Sequence, residues 1–296
     1  MKMRFAIHSI LPQSLIDVYR ASRRRLRWRR ARAQKAVVTK ADILEGLSEI
    51  GVRPGDVLLV HSSLSRLGDV EGGVDIVIDA LLEAVGSAGT IVMPAYPMPG
   101  HTLPYVQTDP LFDPRRTPAT SGRISDTFWR RPGVLRSLHP THSAAAYGPK
   151  AEYLVQDHEK GRNPFGKESP YQKVIELDGR ILQLACPWFI ISSFHIPEVA
   201  CPEFPLTVYL PDLYPVRYLD WDGVEHTALT EVHDPAMFST GVHLDKEIEA
   251  RVFNDLIQGG IMRIGSIGQA KLHLLDARAF EEYLEHEARN GRSAYR

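Results

Sequence analysis

The run Val57-Leu58-Leu59-Val60 stops at His61-Ser62-Ser63, and a helical pattern takes over from Gly72. Consecutive apolar residues bounded in this way read as a strand buried on both faces, and such strands belong to sheets covered on each side by helices. The pattern alternates around it. A helix is predicted over Lys40 to Ile50, followed by the turn Gly51-Val52-Arg53-Pro54-Gly55 and the strand Asp56 to His61. A second helix, Gly73 to Val85, leads through Gly86-Ser87-Ala88-Gly89 to a strand at Thr90 to Met93. Further strands are expected at Ser143 to Tyr147 and Arg180 to Ala185. Residues 205–232 read as short strands joined by tight turns, and the last quarter as a helix near Lys246 to Gln258, a Gly-punctuated stretch and a closing helix from Arg278. The expectation is an α/β fold, a mixed central sheet flanked by helices with a small antiparallel insertion around 205–235.

With 296 residues and 44% hydrophobic content, the chain can bury one large core. We expect a basic arm at 1–37 and a single domain at 38–290. Twelve Lys/Arg and one acid, Asp17, fall in residues 1–40, a charge of +11, so a net charge of −1 leaves −12 for the rest. The arginine-rich segment 15–35, interleaved with Leu15, Ile16, Val18, Tyr19, Leu26 and Trp28, suits an anionic membrane surface. It also suits a solvated helix packed on an acidic body, its own or that of a second subunit in a homo-oligomer. Without a nucleic-acid motif, nucleic acid is not an expected partner. Two cysteines, Cys186 and Cys201, make no disulfide framework. No apolar run reaches the ~18–20 residues that span a bilayer. The apolar patch Phe5-Ala6-Ile7 lacks a cleavage site after it. A cytoplasmic protein is expected, peripheral at the inner face of the membrane if the arm binds lipid.

A strand that ends in a hydroxyl-rich loop and feeds a helix presents backbone N–H groups able to bind an anion. Alone, the stretch His61 to Gly73 is weak. Four further segments follow it in order: Phe112-Asp113-Pro114 with Thr117-Pro118; Arg131 to Gly148, which includes His139-Pro140 and His142-Ser143; Phe165-Gly166 with Ser169-Pro170-Tyr171; and Arg263-Ile264-Gly265-Ser266-Ile267-Gly268-Gln269-Ala270. Together these resemble the aminoglycoside 3-N-acetyltransferase family across residues 38–285. The resemblance implies an α/β fold distinct from the GNAT acetyltransferases, acetyl-CoA as acyl donor, and a small-molecule amine on an aminosugar ring as acceptor. It places the CoA site at His61, Ser62, Ser63, Leu64 and Gly68, with His139 and Ser143 on the same wall.

An ammonium is no nucleophile, so the chemistry needs a base, and it needs donors for the oxyanion that forms. The family's base is a histidine at the start of a helix after a strand, which matches Ser192-Ser193-Phe194-His195-Ile196-Pro197-Glu198. His195 and Glu198 at i and i+3 share one helical face, so Glu198 can orient the imidazole. Ser192 and Ser193 suit a helix cap, and Pro197 fits only in a first turn. The segment departs from the family at two positions: Phe189 where an Asp is usual and Ile191 where an Asn is usual. Fewer carboxylates favour a less cationic amine than a polycationic antibiotic, such as an aminosugar intermediate of surface polysaccharide assembly. The alternative is a family member impaired in catalysis that binds CoA or sugar as a scaffold.

His139 and His142 are the second pair of candidates. Glu231, Asp234 and Glu247 fall where the family places acidic substrate contacts. His-x-x-His and His-x-x-Glu pairs can ligate a metal, but no third ligand stands at a convincing spacing, so no metal is expected. Cys186 and Cys201 read as buried thiols, because direct transfer needs no acyl-enzyme.

Overall fold

A computed structural model of the chain describes residues 37–237 and 245–293. The basic arm, with the membrane contact expected of residues 15–35, therefore lies outside the described residues. At its centre is a seven-stranded sheet. Strand β1 (Val57–Ser62) runs parallel to β2 (Thr90–Pro94) and to β6 (Arg180–Leu184). Strand β5 (Ala144–Tyr147) is antiparallel to β2 and to the short β4 (Leu135–Arg136). On the other side, β10 (Ala270–Asp276) runs antiparallel to β6 and pairs with β9 (Met262–Ile267). The sheet is mixed, as expected.

The apolar run of β1 divides between two cores. Leu58 and Val60 join one cluster with Ile43 and Leu47 of helix α1 (Lys40–Ile50) and Val77, Ile78 and Leu81 of helix α3 (Val74–Val85). Leu59 points the other way, into a cluster with Tyr171 and Val174 of α7 (Pro170–Glu176) and Phe280 and Leu284 of α10 (Ala277–Arg289). The strand period of two thus feeds helices on both faces, and each fully buried Leu or Val contributes about 1.5–3 kcal/mol. Helix α1 starts with a capping box: the Thr39 side chain accepts from the Asp42 N–H, and Asp42 accepts from the Thr39 N–H at 2.7 Å. Its Gly46 packs so close to β9 that a Cβ there would lie 2.6 Å from Ile267 Cγ1.

The Gly-punctuated stretch after Gln258 is not a loop. It forms the β9–β10 hairpin, in which Leu272 and Leu274 face one core and Leu275 the other. The insertion is the antiparallel pair β7 (Tyr214–Leu219) and β8 (Glu225–Thr230), extended by β3 (Leu111–Phe112) parallel to β7. Helix α9 (Lys246–Gln258) matches its predicted span. Among the described residues, no helix is long and apolar enough to cross a membrane.

Candidate active site

The parallel strands β2, β1 and β6 end at one edge of the sheet, where ligands of open α/β sheets bind. There a cavity of about 930 Å³ opens. Its wall carries His61, Ser62, Ser63, Leu64 and Gly68 from the end of β1, and Tyr96 from beyond β2. Gly68 ends the short helix α2 (Leu64–Leu67) at φ 119°, ψ −152°, a backbone that a side chain would oppose. Arg66 and Arg123 add positive charge to the lining.

After β6 the chain turns sharply at Ala185, held at φ 56°. A left-handed alanine costs of order 1 kcal/mol or more, the kind of strain that collects at functional turns. The turn sends residues 186–191 across the cavity, so that Phe189, Ile190 and Ile191 form an apolar lip in which Ile190 is half exposed. A 3₁₀ turn over Ser192–His195 follows, then α8 (Pro197–Ala200) with Pro197 in its first turn. The serines do not cap this helix: the Ser192 hydroxyl pairs with Tyr96 Oη at 2.6 Å, and Ser193 Oγ is buried without a hydrogen-bond partner. The expected capping role gives way because Ser192 faces the cavity wall.

His195 lines the cavity, and its Nδ1 lies 2.8 Å from Glu198 Oε1. The Glu198 side chain is fully buried. Its second oxygen, Oε2, accepts from Tyr209 Oη at 2.8 Å and pairs with His233 Nε2 at 2.7 Å. Burial opposes ionisation of Glu198, but the charge and hydrogen bonds of His195, with those of His233, outweigh it and hold the carboxyl well below its usual range. His233 is pushed down by burial and partly restored by Glu198. Tyr209 stacks on His233 with ring centroids 4.4 Å apart, and the two residues form a lone bridge at the foot of the insertion. A carboxylate between two imidazoles fixes His195 with its proton on Nδ1, which leaves Nε2 as the basic nitrogen.

His233 and Tyr209 were not legible as site residues, and His233 corrects the reading that no third ligand accompanies His195 and Glu198. One atom from each of the three lies within 4.8 Å of the others, a set that could hold a metal ion. In this arrangement the imidazole nitrogen of each histidine that faces Glu198 is hydrogen-bonded to it.

Two of the expected CoA contacts stand behind the wall. Ser143 is fully buried and donates to Ala95 O at 2.6 Å. His139 is buried too, its Nδ1 accepting from the N–H groups of Thr141 and His142. Both support the wall instead of facing the cavity, because the β4–β5 connection turns them into the core. Of the expected acidic contacts, Glu231 accepts from Asn163 Nδ2 at 2.7 Å, Asp234 caps the Ala236 N–H, and Glu247 is exposed at the start of α9. None of the three lines the cavity. Cys186 does, but burial pushes its thiol up to about 12 and it bonds Gln183 Oε1, which makes it a poor nucleophile.

Behind the wall, Arg136 is 1% exposed. Its guanidinium lies over the rings of Phe112 and Trp129, and it donates to Ala95 O at 2.7 Å and Thr117 O at 2.6 Å. Burial lowers its pKa to about 10, which still leaves it charged at neutral pH.

Burial brings His61 and His139 down to about 3, and holds His142 and His158 well below the ordinary value. Unfolded histidine takes a proton near 6.5, so the unfolded state binds more protons below that pH. The stability these residues confer is complete above about 6.5 and is lost as pH falls toward 3, at ~1.4 kcal/mol per pH unit for each residue. Urea denaturation followed by tryptophan fluorescence is expected to show a steep loss of stability between pH 6.5 and 4, with a shallower slope in His139→Asn. Constant stability across that window would contradict neutral burial.

Comparison with known proteins bears on the family and the fold. Residues 59–287 match the aminoglycoside 3-N-acetyltransferase family. Over 254 residues the chain is 30% identical to aminoglycoside N(3)-acetyltransferase III of Salmonella sp, covering 81% of this chain and 87% of that enzyme. A 162-residue stretch is 40% identical to the type IV enzyme of Salmonella sp, spanning 54% of this chain and 58% of that enzyme. The solved structure of AAC-IIIb with CoASH superposes with a TM-score of 0.70 at 26% identity, covering 84% of this chain and 95% of that one. The chain belongs to the aminoglycoside 3-N-acetyltransferase family, whose members are acetyl-CoA-dependent N-acetyltransferases.

Proposed function

We propose that this enzyme acetylates an amine of a weakly cationic aminosugar, with His195 as general base, and that surface-polysaccharide intermediates are its acceptors in preference to polycationic antibiotics. The observation that carries the mechanism is the hydrogen bond from His195 to a buried carboxylate that His233 and Tyr209 also hold. Glu198 keeps the imidazole in one tautomer and stabilises the imidazolium as it forms. His195 Nε2 takes the proton that the attacking amine releases and returns it to the departing sulfur. Acetyl-CoA supplies the electrophilic thioester carbonyl. Ser62, Ser63, Leu64 and Gly68 would hold its pantetheine and pyrophosphate, with Arg66 and Arg123 as counter-charges. A cavity at the upper end of ordinary ligand sites leaves room for the donor arm and a sugar.

The acceptor follows from charge. Among the described residues lining the cavity, Asp69 is the one carboxylate, and it lies on the donor loop beyond Gly68. The lip across from it is Phe189, Ile190 and Ile191. A ligand with several ammonium groups would lose hydration there without gaining anionic partners. The arginine-rich segment 15–35 would draw the enzyme to anionic bilayers, where lipid-linked sugars are presented.

Thiol release from acetyl-CoA, measured against kanamycin-like polyamines and nucleotide-linked amino-sugars, is expected to favour the second set. Turnover confined to the polyamines would overturn the acceptor assignment. CoA binding without turnover on any amine would favour the scaffold alternative. Deletion of residues 1–35 is expected to abolish sedimentation with anionic liposomes, and unchanged sedimentation would remove the membrane role.

A further inference from the structure

His142 lies on the cavity wall and is not one of the groups that bond Glu198. It belongs to the connection between β4 and the antiparallel β5, which starts at the edge where β1, β2 and β6 end. Its ring packs edge-on against Tyr96, with centroids 4.8 Å apart, and against Phe165 at 4.9 Å. Phe165 also packs on His195 at 4.7 Å, so the two imidazoles share a neighbour.

Hydrogen bonds on its inner side fix the tautomer. Thr141 Oγ1 lies 3.2 Å from His139 Nδ1 and 2.8 Å from His142 Nδ1. The single lone pair of His139 Nδ1 already receives two backbone N–H groups. The one hydroxyl proton of Thr141 therefore goes to His142 Nδ1, which must be bare, and the ring proton is on Nε2. Among the described residues Nε2 has no hydrogen-bond partner, and it is not among the fully buried polar atoms that lack one, so it opens to the cavity that His142 lines. A second imidazole thus presents an N–H where the base presents a lone pair.

We propose that His142 Nε2–H donates to the thioester carbonyl oxygen of the acyl donor and to the oxyanion that this oxygen becomes. This rests on the acyl-transfer reading above. As the amine nitrogen bonds to the carbonyl carbon, the C=O electron pair moves onto oxygen, against His142, and the amine proton passes to His195. The pair then returns, the C–S bond breaks, and the thiolate takes the proton from His195. The donor keeps its own proton throughout. Burial among the rings of Tyr96, His139 and Phe165 keeps His142 neutral, so it polarises without transferring a proton.

Three variants test this at saturating acceptor. His142→Phe keeps a ring against Tyr96 and Phe165 but loses the donor, and is expected to lower kcat by about 10²–10³-fold with little change in KM for acetyl-CoA. His142→Ala should fall as far. His142→Gln, which retains an N–H donor, should recover about tenfold of the loss. Thermal melts confirm folding, and the Phe and Gln pair suffices if Ala does not fold. A Phe variant with wild-type kcat, or one no slower than Gln, would assign His142 to packing alone. A wild-type enzyme inactive on every amine would instead strike the acyl-transfer reading, a failure visible before any variant is made.

Discussion

His195→Ala is expected to lower kcat by about three orders of magnitude or more while leaving the KM for acetyl-CoA nearly unchanged. The Ser62–Gly68 loop follows β1, whereas His195 stands on the separate 3₁₀ turn that follows β6. Removing the imidazole therefore removes proton transfer and leaves the donor contacts in place. The remaining rate should rise with pH as the acceptor amine loses its own proton unaided. A variant with wild-type kcat at neutral pH would take His195 out of the mechanism.

Glu198→Gln is expected to damage both activity and stability. An amide offers one carbonyl oxygen where three donors converge, so at most part of the set from His195, His233 and Tyr209 is satisfied. Misplacing the His195 tautomer should cost about 10³–10⁴ in kcat. Loss of the charged hydrogen bonds should cost on the order of 3 kcal/mol at pH 7. The sign with pH is fixed by the lowered carboxyl. Its contribution is present above the unfolded carboxyl range, near 4.3, and is lost as pH falls below it. Wild type and variant should therefore converge in stability in acid, as read by denaturant midpoints from pH 7 to 3. A gap that stays constant over that range would mean that the carboxylate's charge contributes nothing to folding.

Much of this site was legible in the chain. Periodicity placed β1, β2, β6 and the helices around them because their residues face helices on both sides and carry uninterrupted apolar runs. The spacing of His195 and Glu198 survived in the structure, although the pair spans a 3₁₀ turn and a short helix instead of one regular helix. His233 and Tyr209 left no local mark. They lie 35 and 11 residues from Glu198 and reach it only because the insertion folds back, an event with no periodic signature. The β9–β10 hairpin was hidden for another reason: glycines punctuate the stretch, and the strand shows only in where Leu272, Leu274 and Leu275 are buried. His139 and Ser143 show the limit of motif reading, since a motif can be required for the wall without touching what the wall encloses.

Arg136 gives the cavity an asymmetry with a consequence for the enzyme's history. On its side, the end of β2 and the segment at Thr117 are tied to one buried cation, and an apolar residue in its place would strand their carbonyls. The lip at Phe189–Ile191 differs in kind, because its Ile190 is half exposed. Substitution at Ile190 therefore meets far less resistance than substitution at Arg136. What the cavity admits can then change at a single exposed edge while its buried frame is kept.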